Sequence, residues 1–378
     1  MIFLKNVVFL YKNNYSQKDC KVKKYIQHLN SVSEKVNEIL KNDNFPDSIE
    51  PDYLRDEIRI YPLAGGKKLR PALLCASCGV LGGDIEKIIY FAAALEVWHN
   101  WTLVHDDIID CDTFRRNMPS AHCRLANIAQ ERFALERNRA MKYGQDMAIL
   151  CGDLQINWAY DLILKGQAIS QISPEFTLEI IGKIRQYGVQ KLITGEAVDT
   201  ELSLRNITEI SIDEVMKMID GKTSALFQCC TEIGGALALG KFNDFRVGLL
   251  SDFAKALGRA FQLQDDLLGV FGEEQKLGKN IGSDLRESKP TVLLLKTLSN
   301  TKGTEKEFVL SVIGKKDLQV AEFEKLKDIM VSSNAYKFVA DEVQYYLQRA
   351  KEFLDELPDN EYNQILHEIL DYLVNRDR

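Results

Sequence analysis

Apolar residues along most of this chain recur at intervals of three and four positions, the spacing that puts them on one face of an α-helix. Positions 120–173, 175–289 and 291–357 contain no proline, as expected if they are mostly helical. No alternating β pattern of comparable length competes with these helices. The pattern therefore predicts an all-α fold, with helical runs such as Ile180, Ile184, Val189, Leu192 and Ile193.

Two helix starts are marked by their capping chemistry. Ser173 followed by Pro174 is typical of an N-cap with proline at the first helical position. Ser211 with Glu214 three residues later predicts a capping box, in which each side chain accepts a hydrogen bond from the backbone N–H of the other residue. We therefore expect helices to begin at positions 174 and 212.

Length and composition favour a single globular domain. The 378 residues would permit two domains, but no Pro/Gly/Ser-rich linker or low-complexity segment divides them. We predict a basic N-terminal extension at 1–24, with six Lys and one Asp, followed by one domain at 25–378. The apolar run that opens this extension is too short to span a bilayer, and it lacks a small-residue cleavage site. A surface extension is favoured over a membrane-surface segment.

Charge and cysteine content narrow the function classes. The net charge of −7 argues against nucleic acid as the general partner. Eight cysteines include Cys75-x-x-Cys78 and the adjacent Cys229 and Cys230, but no second CxxC or paired histidine completes a zinc pattern. Buried thiols in a reducing, cytoplasmic setting are the favoured interpretation.

Two pairs of adjacent aspartates, 159 positions apart, are the strongest chemical signal. Asp106, Asp107 and Asp110 follow one apolar run, and Asp265 and Asp266 follow another. On a helix, Asp106 and Asp110 would share a face about 6 Å apart along the axis. An acidic run is usually a solvated helix face, but here basic residues follow each pair at short range. Carboxylates combined with Arg and Lys favour Mg²⁺ bridging to phosphate oxygens; those basic residues are Arg115, Arg116, Lys279 and Lys289.

Further basic and polar residues accompany the acidic pairs. Lys67 and Arg70 follow Gly65-Gly66 about one helical turn apart, a spacing that suits clamping one anion, with a solvated basic loop as the alternative. His99 lies near the helical face of Asp106, although a core histidine is the commoner case. Pro119 predicts that the stretch from Arg115 to His122 is a loop rather than a helix. The glycine-rich stretch ending at Lys289 predicts a mobile cover over the site, with an ordinary surface loop as its alternative.

The ordered motifs GGKxLRP, HxxxxxHDDxxD, RRxxPxxH, KT and QxQDD, followed by GK and KPT, resemble those of the trans-isoprenyl diphosphate synthases, or polyprenyl synthetases. The resemblance runs from about Leu63 to the C-terminus. It implies a helical bundle around a deep central cavity, with the two acidic motifs facing each other at its mouth, usually in a homodimer. It also implies Mg²⁺-dependent condensation of isopentenyl diphosphate with an allylic diphosphate.

The resemblance assigns roles residue by residue. Asp106, Asp107, Asp110, Asp265 and Asp266 would hold Mg²⁺ on the allylic diphosphate. That same diphosphate would be contacted by Arg115, Lys222, Thr223, Gln262, Lys279 and, less directly matched by its spacing, Lys289. The diphosphate of isopentenyl diphosphate would be bound by Lys67, Arg70, His99 and Arg116.

The helix before Asp106 also bears on product length. Trp101 lies five residues upstream of that aspartate, about 7.5 Å down the axis, where it could obstruct a growing tail, while Thr102 leaves room. Ordinary core packing explains Trp101 equally. In the family, a large aromatic residue at this position goes with short products, so we predict a C20 product, with C15 next and longer chains after it.

Three departures from the family pattern stand out. Gly269 replaces a common third carboxylate, Asn117 a common glycine, and Glu196 a usual glutamine. Two rival functions are a terpene cyclase, which would not need the second basic set, and a non-catalytic partner subunit, which would not need both acidic pairs.

Overall fold

A computed structural model describes residues 23–272 and 282–374, and nearly all of their regular structure is helical. The helices of the first half are α1 (Lys24–Asn42), α2 (Asp52–Leu63), α3 (Leu69–Val80), α4 (Ile89–Ile109), α5 (Ala121–Phe133) and α6 (Arg137–Ser170). Those that follow are α7 (Pro174–Ile184), α8 (Leu192–Leu204), α9 (Ile212–Ile219), α10 (Ala225–Leu239) and α11 (Phe245–Phe271). The last are α12 (Ser283–Arg286), α13 (Val292–Asn300), α14 (Gly303–Val312), α15 (Val320–Ser332), α16 (Ala335–Asp355) and α17 (Glu361–Val374).

The two predicted caps are confirmed. The Ser173 side chain accepts a hydrogen bond from the backbone N–H of Phe176 at 3.1 Å, and Pro174 opens α7. At the start of α9 the Ser211 hydroxyl accepts from the N–H of Glu214, whose carboxylate accepts from the N–H of Ser211 at 2.9 Å. Both caps satisfy N–H groups that have no partner inside the helix.

Two large apolar clusters form the core. One gathers the C-terminal helices around α11, and the other surrounds α4 and α6. They adjoin on α3, where Leu73 belongs to the first cluster and Leu74 to the second. Helix α4 is apolar around most of its circumference until its last turns, which is typical of a helix surrounded by others. The first acidic motif therefore emerges at the end of a firmly buried helix.

Two π-helical turns bring neighbouring helices into backbone contact. One turn, Arg185–Lys191, joins α7 to α8, and the other, Asp220–Ser224, joins α9 to α10. A Cβ atom added to Gly195 would lie 2.3 Å from the backbone nitrogen of Lys222, so only glycine fits this crossing. Such turns inside α-helices are frequent at functional sites. Here the crossing sets Glu196 beside Lys222.

The segment predicted as a loop from Arg115 to His122 is instead a short hairpin, and its last two residues already belong to α5, two positions after the proline. Strand β1 (Phe114–Arg115) pairs antiparallel with β2 (Met118–Pro119). The two turn residues, Arg116 and Asn117, have φ values of 53° and 62°. A two-residue hairpin turn with positive φ at both positions favours Gly or Asn, which accounts for Asn117. Pro119 correctly excluded a helix between the two strands, but only the strand pairing shows how Arg115 and Arg116 are oriented.

Part of the predicted organisation lies outside the described residues. This is true of positions 1–22 of the proposed extension 1–24 and of Lys279 in the proposed cover. Among the helices that the structure describes, none has the length and apolar character needed to cross a bilayer.

Candidate active site

A cavity of about 810 Å³ opens between the ends of α4 and α11, the crossing of α8 with the second π-helical turn, and the hairpin. Its walls come from segments more than 100 residues apart in sequence, so it exists only in the folded chain. The predicted site residues that line it are Arg70, His99, Trp101, Thr102, Asp106, Arg115, Arg116, Lys222, Thr223, Gln262 and Asp265.

Within the first acidic motif, the neighbouring aspartates have different surroundings. Asp106 faces the cavity, whereas Asp107 is fully buried behind it. The Asp107 carboxylate accepts hydrogen bonds at 2.5 Å from both the Tyr61 hydroxyl and Nε of Arg115. The same Tyr61 oxygen accepts from the N–H of Ala121 at 3.0 Å. Asp107 thus ties α2, α4 and the hairpin together.

The charges around Arg115 reinforce one another. Its Nη2 atom lies 3.2 Å from the Asp106 carboxylate, in addition to the bond with Asp107. Burial raises the pKa of Asp107, and the arginine opposes that effect. Burial alone would lower the pKa of Arg115, but the two aspartates outweigh it and raise that pKa. Arg115 is therefore a fixed cation at the cavity wall.

Lys222 reaches the cavity from the second π-helical turn and meets three carboxylates. Its Nζ atom lies 2.6 Å from Asp199, 3.0 Å from Glu196 and 3.5 Å from Asp106. Burial by itself would lower the pKa of Lys222, whereas these negative charges raise it above its ordinary value. The lysine is charged, and it is flanked by the first acidic motif on one side and by α8 on the other.

The second acidic motif is connected to this group through a chain of hydrogen bonds. The Thr223 hydroxyl donates to Oε1 of Gln262 at 2.9 Å, and Nε2 of Gln262 donates to Asp266 at 3.0 Å. Asp265 faces the cavity, while Asp266 is buried. Burial, followed by the negative charge of Asp284, raises the pKa of Asp266 well above its usual range. The threonine and glutamine of two separate motifs are thereby brought into one network.

The basic set expected for isopentenyl diphosphate is partly assembled. Nη1 of Arg70 lies 3.0 Å from Nε2 of His99, and burial, helped by the arginine charge, lowers the pKa of His99 well below its usual value. A neutral imidazole can accept from Arg70. Nη1 of Arg116 donates to the carbonyls of Tyr61 at 3.1 Å and Gly65 at 2.9 Å.

Lys67, the predicted ligand, lies away from the cavity, whereas its neighbour Lys68 is buried. Lys67 is exposed, donates to the Tyr372 hydroxyl of α17, and does not line the cavity. Lys68 is buried, with Nζ 2.7 Å from the carbonyl of Pro62 and 3.3 Å from Glu96. Lys68 therefore stabilises the loop that presents Arg70, while Lys67 remains a predicted ligand only.

Three partners of the site were missed in the sequence: Tyr61, Lys68 and Asp199. The signal for Asp199 was present, since it follows Glu196 by three positions and so shares its helical face. Nothing local distinguishes Tyr61 from the other aromatic residues, because its partner Asp107 lies 46 positions away.

The residues that line the cavity include Trp101, although most of its side chain is buried. Its ring packs edge-to-face with Trp98 at 5.2 Å and with His105 at 5.7 Å. Thr102 also lines the cavity, and its hydroxyl donates to the His99 carbonyl at 2.7 Å. Trp101 is therefore both a packed residue and a wall of the cavity.

The donors around the cavity fit Mg²⁺. Asp106 and Asp265 line it from different helices, and hard carboxylate oxygens are the ligands this ion prefers. Within residues 23–272 and 282–374, no three His, Cys, Asp or Glu side chains converge closely enough to hold an ion alone.

Comparison with known proteins identifies a family and several relatives. The family model described as polyprenyl synthetase matches residues 51–330. A geranylgeranyl diphosphate synthase of Saccharolobus solfataricus is 34% identical over 345 residues, covering 89% of this chain and 95% of the relative. A geranylfarnesyl diphosphate synthase of Aeropyrum pernix is 29% identical over 333 residues, 87% of this chain and 96% of the relative.

Among solved structures, a geranylgeranyl pyrophosphate synthetase from Pyrococcus horikoshii superposes with a TM-score of 0.79 at 30% identity, covering 94% of this chain and all of that one. The chain belongs to the polyprenyl synthetase family. The predicted all-α fold and the predicted enzyme class, a trans-prenyltransferase, are confirmed.

Proposed function

We propose that this enzyme uses Mg²⁺ to condense isopentenyl diphosphate with dimethylallyl, geranyl and farnesyl diphosphates, and that its main product is geranylgeranyl diphosphate. The observation that carries the proposal is a single cavity lined by residues of both acidic motifs and by two separate basic groups, Arg115 with Lys222 and Arg70 with Arg116. A reaction of two diphosphates needs this amount of positive charge around one apolar space.

The allylic diphosphate would bind between the acidic motifs. Mg²⁺ held there by Asp106, Asp107, Asp110, Asp265 and Asp266 would supply neutralising charge to the leaving group. Arg115 and Lys222 add fixed positive charge beside Asp106, so the C–O bond can break with the departing charge already balanced. Thr223 and Gln262 are oriented by their mutual hydrogen bond to hold the same diphosphate.

Isopentenyl diphosphate would bind at the second basic group. Arg116 is fixed by two backbone carbonyls, and Arg70 stacks 4.9 Å above the Phe227 ring beside neutral His99. These residues orient the double bond toward the allylic cation. The π electrons of this double bond form the new C–C bond to the allylic cation. The proton that is then lost passes to the released diphosphate. No side-chain nucleophile is required.

Product length would be limited by the cavity floor. The Trp101 ring, backed by Trp98, obstructs a tail that descends along α4. The relatives named for C20 and C25 products support geranylgeranyl diphosphate first and a longer product next. A C15 product remains an alternative to be measured.

The two rival functions fit the cavity less well. A terpene cyclase binds one diphosphate and would leave the group of Arg70, His99 and Arg116 without a ligand. A non-catalytic partner subunit would not need Asp106 and Asp265 in the same cavity.

The enzyme would act as a cytoplasmic homodimer. Exposed apolar side chains on α6, among them Leu150 and Leu164, support self-association. Among the described residues, Cys75, Cys78 and five other cysteines are free thiols, which supports a reducing compartment. Sedimentation analysis of the purified chain would test the dimer: a monomer across micromolar concentrations would contradict it.

Purified protein should be incubated with labelled isopentenyl diphosphate, Mg²⁺ and each allylic primer in turn, and the products sized after removal of the diphosphate. C20 chains from all three primers, and no product in excess EDTA, are the expected results. Cyclic hydrocarbon from a primer alone would favour the cyclase. No elongation with any primer would contradict the proposed function.

A further inference from the structure

Lys222 has more negative neighbours than its single charge can neutralise. Asp106, Glu196 and Asp199 all lie within 3.5 Å of its Nζ atom. Arg115, which also lines this cavity, is already bonded to Asp107 and Asp106. A cavity that must accept anions therefore carries excess negative charge where its lysine is located.

The two carboxylates from α8 have different relations to the cavity. Asp199 is the closer partner at 2.6 Å, is almost completely buried, and lies behind the cavity wall. Glu196 lies 3.0 Å from the lysine and lines the cavity itself. Asp199 therefore pairs with Lys222 from behind the wall, while Glu196 adds a second negative charge on the cavity side.

The backbones that carry Glu196 and Lys222 are held against each other. Gly195 and Gly221, the residues just before them, are packed backbone against backbone where α8 crosses the π-helical turn. A phosphate oxygen that binds to Lys222 at its present position therefore comes within a few ångströms of the Glu196 carboxylate. In a partly desolvated cavity, repulsion over such distances is not removed by water.

We propose that Glu196 makes the binding of diphosphate conditional on a divalent cation. Its negative charge weakens the binding of the bare anion at Lys222, and the penalty is offset only when cations accompany the diphosphate. The inference rests on the proposed function for the identity of the anion. Metal and diphosphate then bind with positive coupling, so that phosphates without a bound metal have a low affinity for the cavity.

Calorimetric titration of the full-length protein with inorganic pyrophosphate, in EDTA and then in excess Mg²⁺, tests this coupling. Glu196→Gln removes the charge with little change of shape, and we expect it to bind pyrophosphate about tenfold more tightly in EDTA. The gain in affinity on adding Mg²⁺ should be smaller in this variant by the same factor. Glu196→Asp keeps the charge and should behave like the wild type.

Glu201→Gln is the matched control, because Glu201 is exposed on the same helix and does not line the cavity. Equal affinities of the wild type and Glu196→Gln in EDTA, including no detectable binding by either, would overturn the proposal. Weaker binding by a folded Glu196→Gln, checked by circular dichroism, would overturn it as well, because Glu196 would then be needed to present Lys222. Failure of the wild type to elongate any primer would count against the proposed function instead.

Discussion

Nζ of Lys289 lies 2.9 Å from Oδ2 of Asp110, joining two residues 179 positions apart. Burial by itself would lower the pKa of this lysine, but the charge and hydrogen bond of Asp110, together with the charge of Glu287, raise it. The segment that follows the second acidic motif is thus bonded to the end of the first. The bond brings a second lysine, besides Lys222, to the acidic residues of α4.

Lys289→Ala should weaken binding of the allylic diphosphate. The variant loses a cation beside Asp110, so KM for the allylic substrate should rise about tenfold, with a smaller effect on KM for isopentenyl diphosphate. Steady-state kinetics with each substrate varied in turn measures the difference. Lys316→Ala, at an exposed position outside the cavity, is the control. An equal rise in both KM values would argue against this role for Lys289.

The adjacent aspartates Asp106 and Asp107 should differ when replaced by alanine. Asp106→Ala should lower kcat more than about a hundredfold and leave the melting temperature nearly unchanged, because Asp106 faces the cavity. Asp107→Ala should also lower the free energy of unfolding by about 3–5 kcal/mol, since it leaves the buried charge of Arg115 without its closest partner. Denaturant unfolding and initial rates measure both quantities. Equal stability of the two variants would contradict the anchoring role of Asp107.

Asp265→Ala should resemble Asp106→Ala, because Asp265 lines the same cavity from α11. We expect condensation to be abolished while far-ultraviolet circular dichroism stays unchanged. Asp252→Asn, at an exposed position earlier on α11, is the control for a change of charge on that helix. Retention of full activity by Asp265→Ala would remove the second acidic motif from the mechanism.

Trp101→Ala should lengthen the product. Removing the indole opens the floor along α4, so products longer than those of the wild type should appear on chromatography of the dephosphorylated chains. The lost packing against Trp98 should also cost about 3–5 kcal/mol of stability. Trp158→Phe changes another buried tryptophan, one that does not line the cavity, and should leave chain length unchanged. An unchanged product from Trp101→Ala would show that the tryptophan only packs.

The capping box of α9 should make stability depend on pH. The backbone N–H of Ser211, together with Arg205, lowers the pKa of Glu214 to about 2. Its ionised form therefore stabilises the fold above about pH 4.5, and this contribution is lost as pH falls from there toward 2. Glu214→Gln should melt below the wild type at pH 7, and the gap should close near pH 2.5. Glu209→Gln, an exposed neighbour, is the control; a gap that persists at low pH would contradict the assignment.

Much of the fold could be predicted because its signals are local. Helical periodicity, the lack of proline and the caps at Ser173 and Ser211 depend on residues within a few positions of one another. The hairpin at Arg115 could not be predicted, since two-residue strands have no periodicity of their own. The π-helical turns were equally invisible, because a turn of that kind depends on packing with the neighbouring helix, here at Gly195 and Gly221.

The sequence by itself determined which residues are candidates for the chemistry, since motif order and residue type identify carboxylates and cations without coordinates. Only the tertiary structure decided what each of them faces. Asp106 and Asp107 are neighbours in the chain, yet a helix turns consecutive side chains about 100° apart, so one lines the cavity while the other is buried against Tyr61. The contact of Glu196 with Lys222 was also decided by the tertiary structure. It depends on the crossing of α8 with the second π-helical turn, which is possible because glycines, Gly195 and Gly221, precede the two residues.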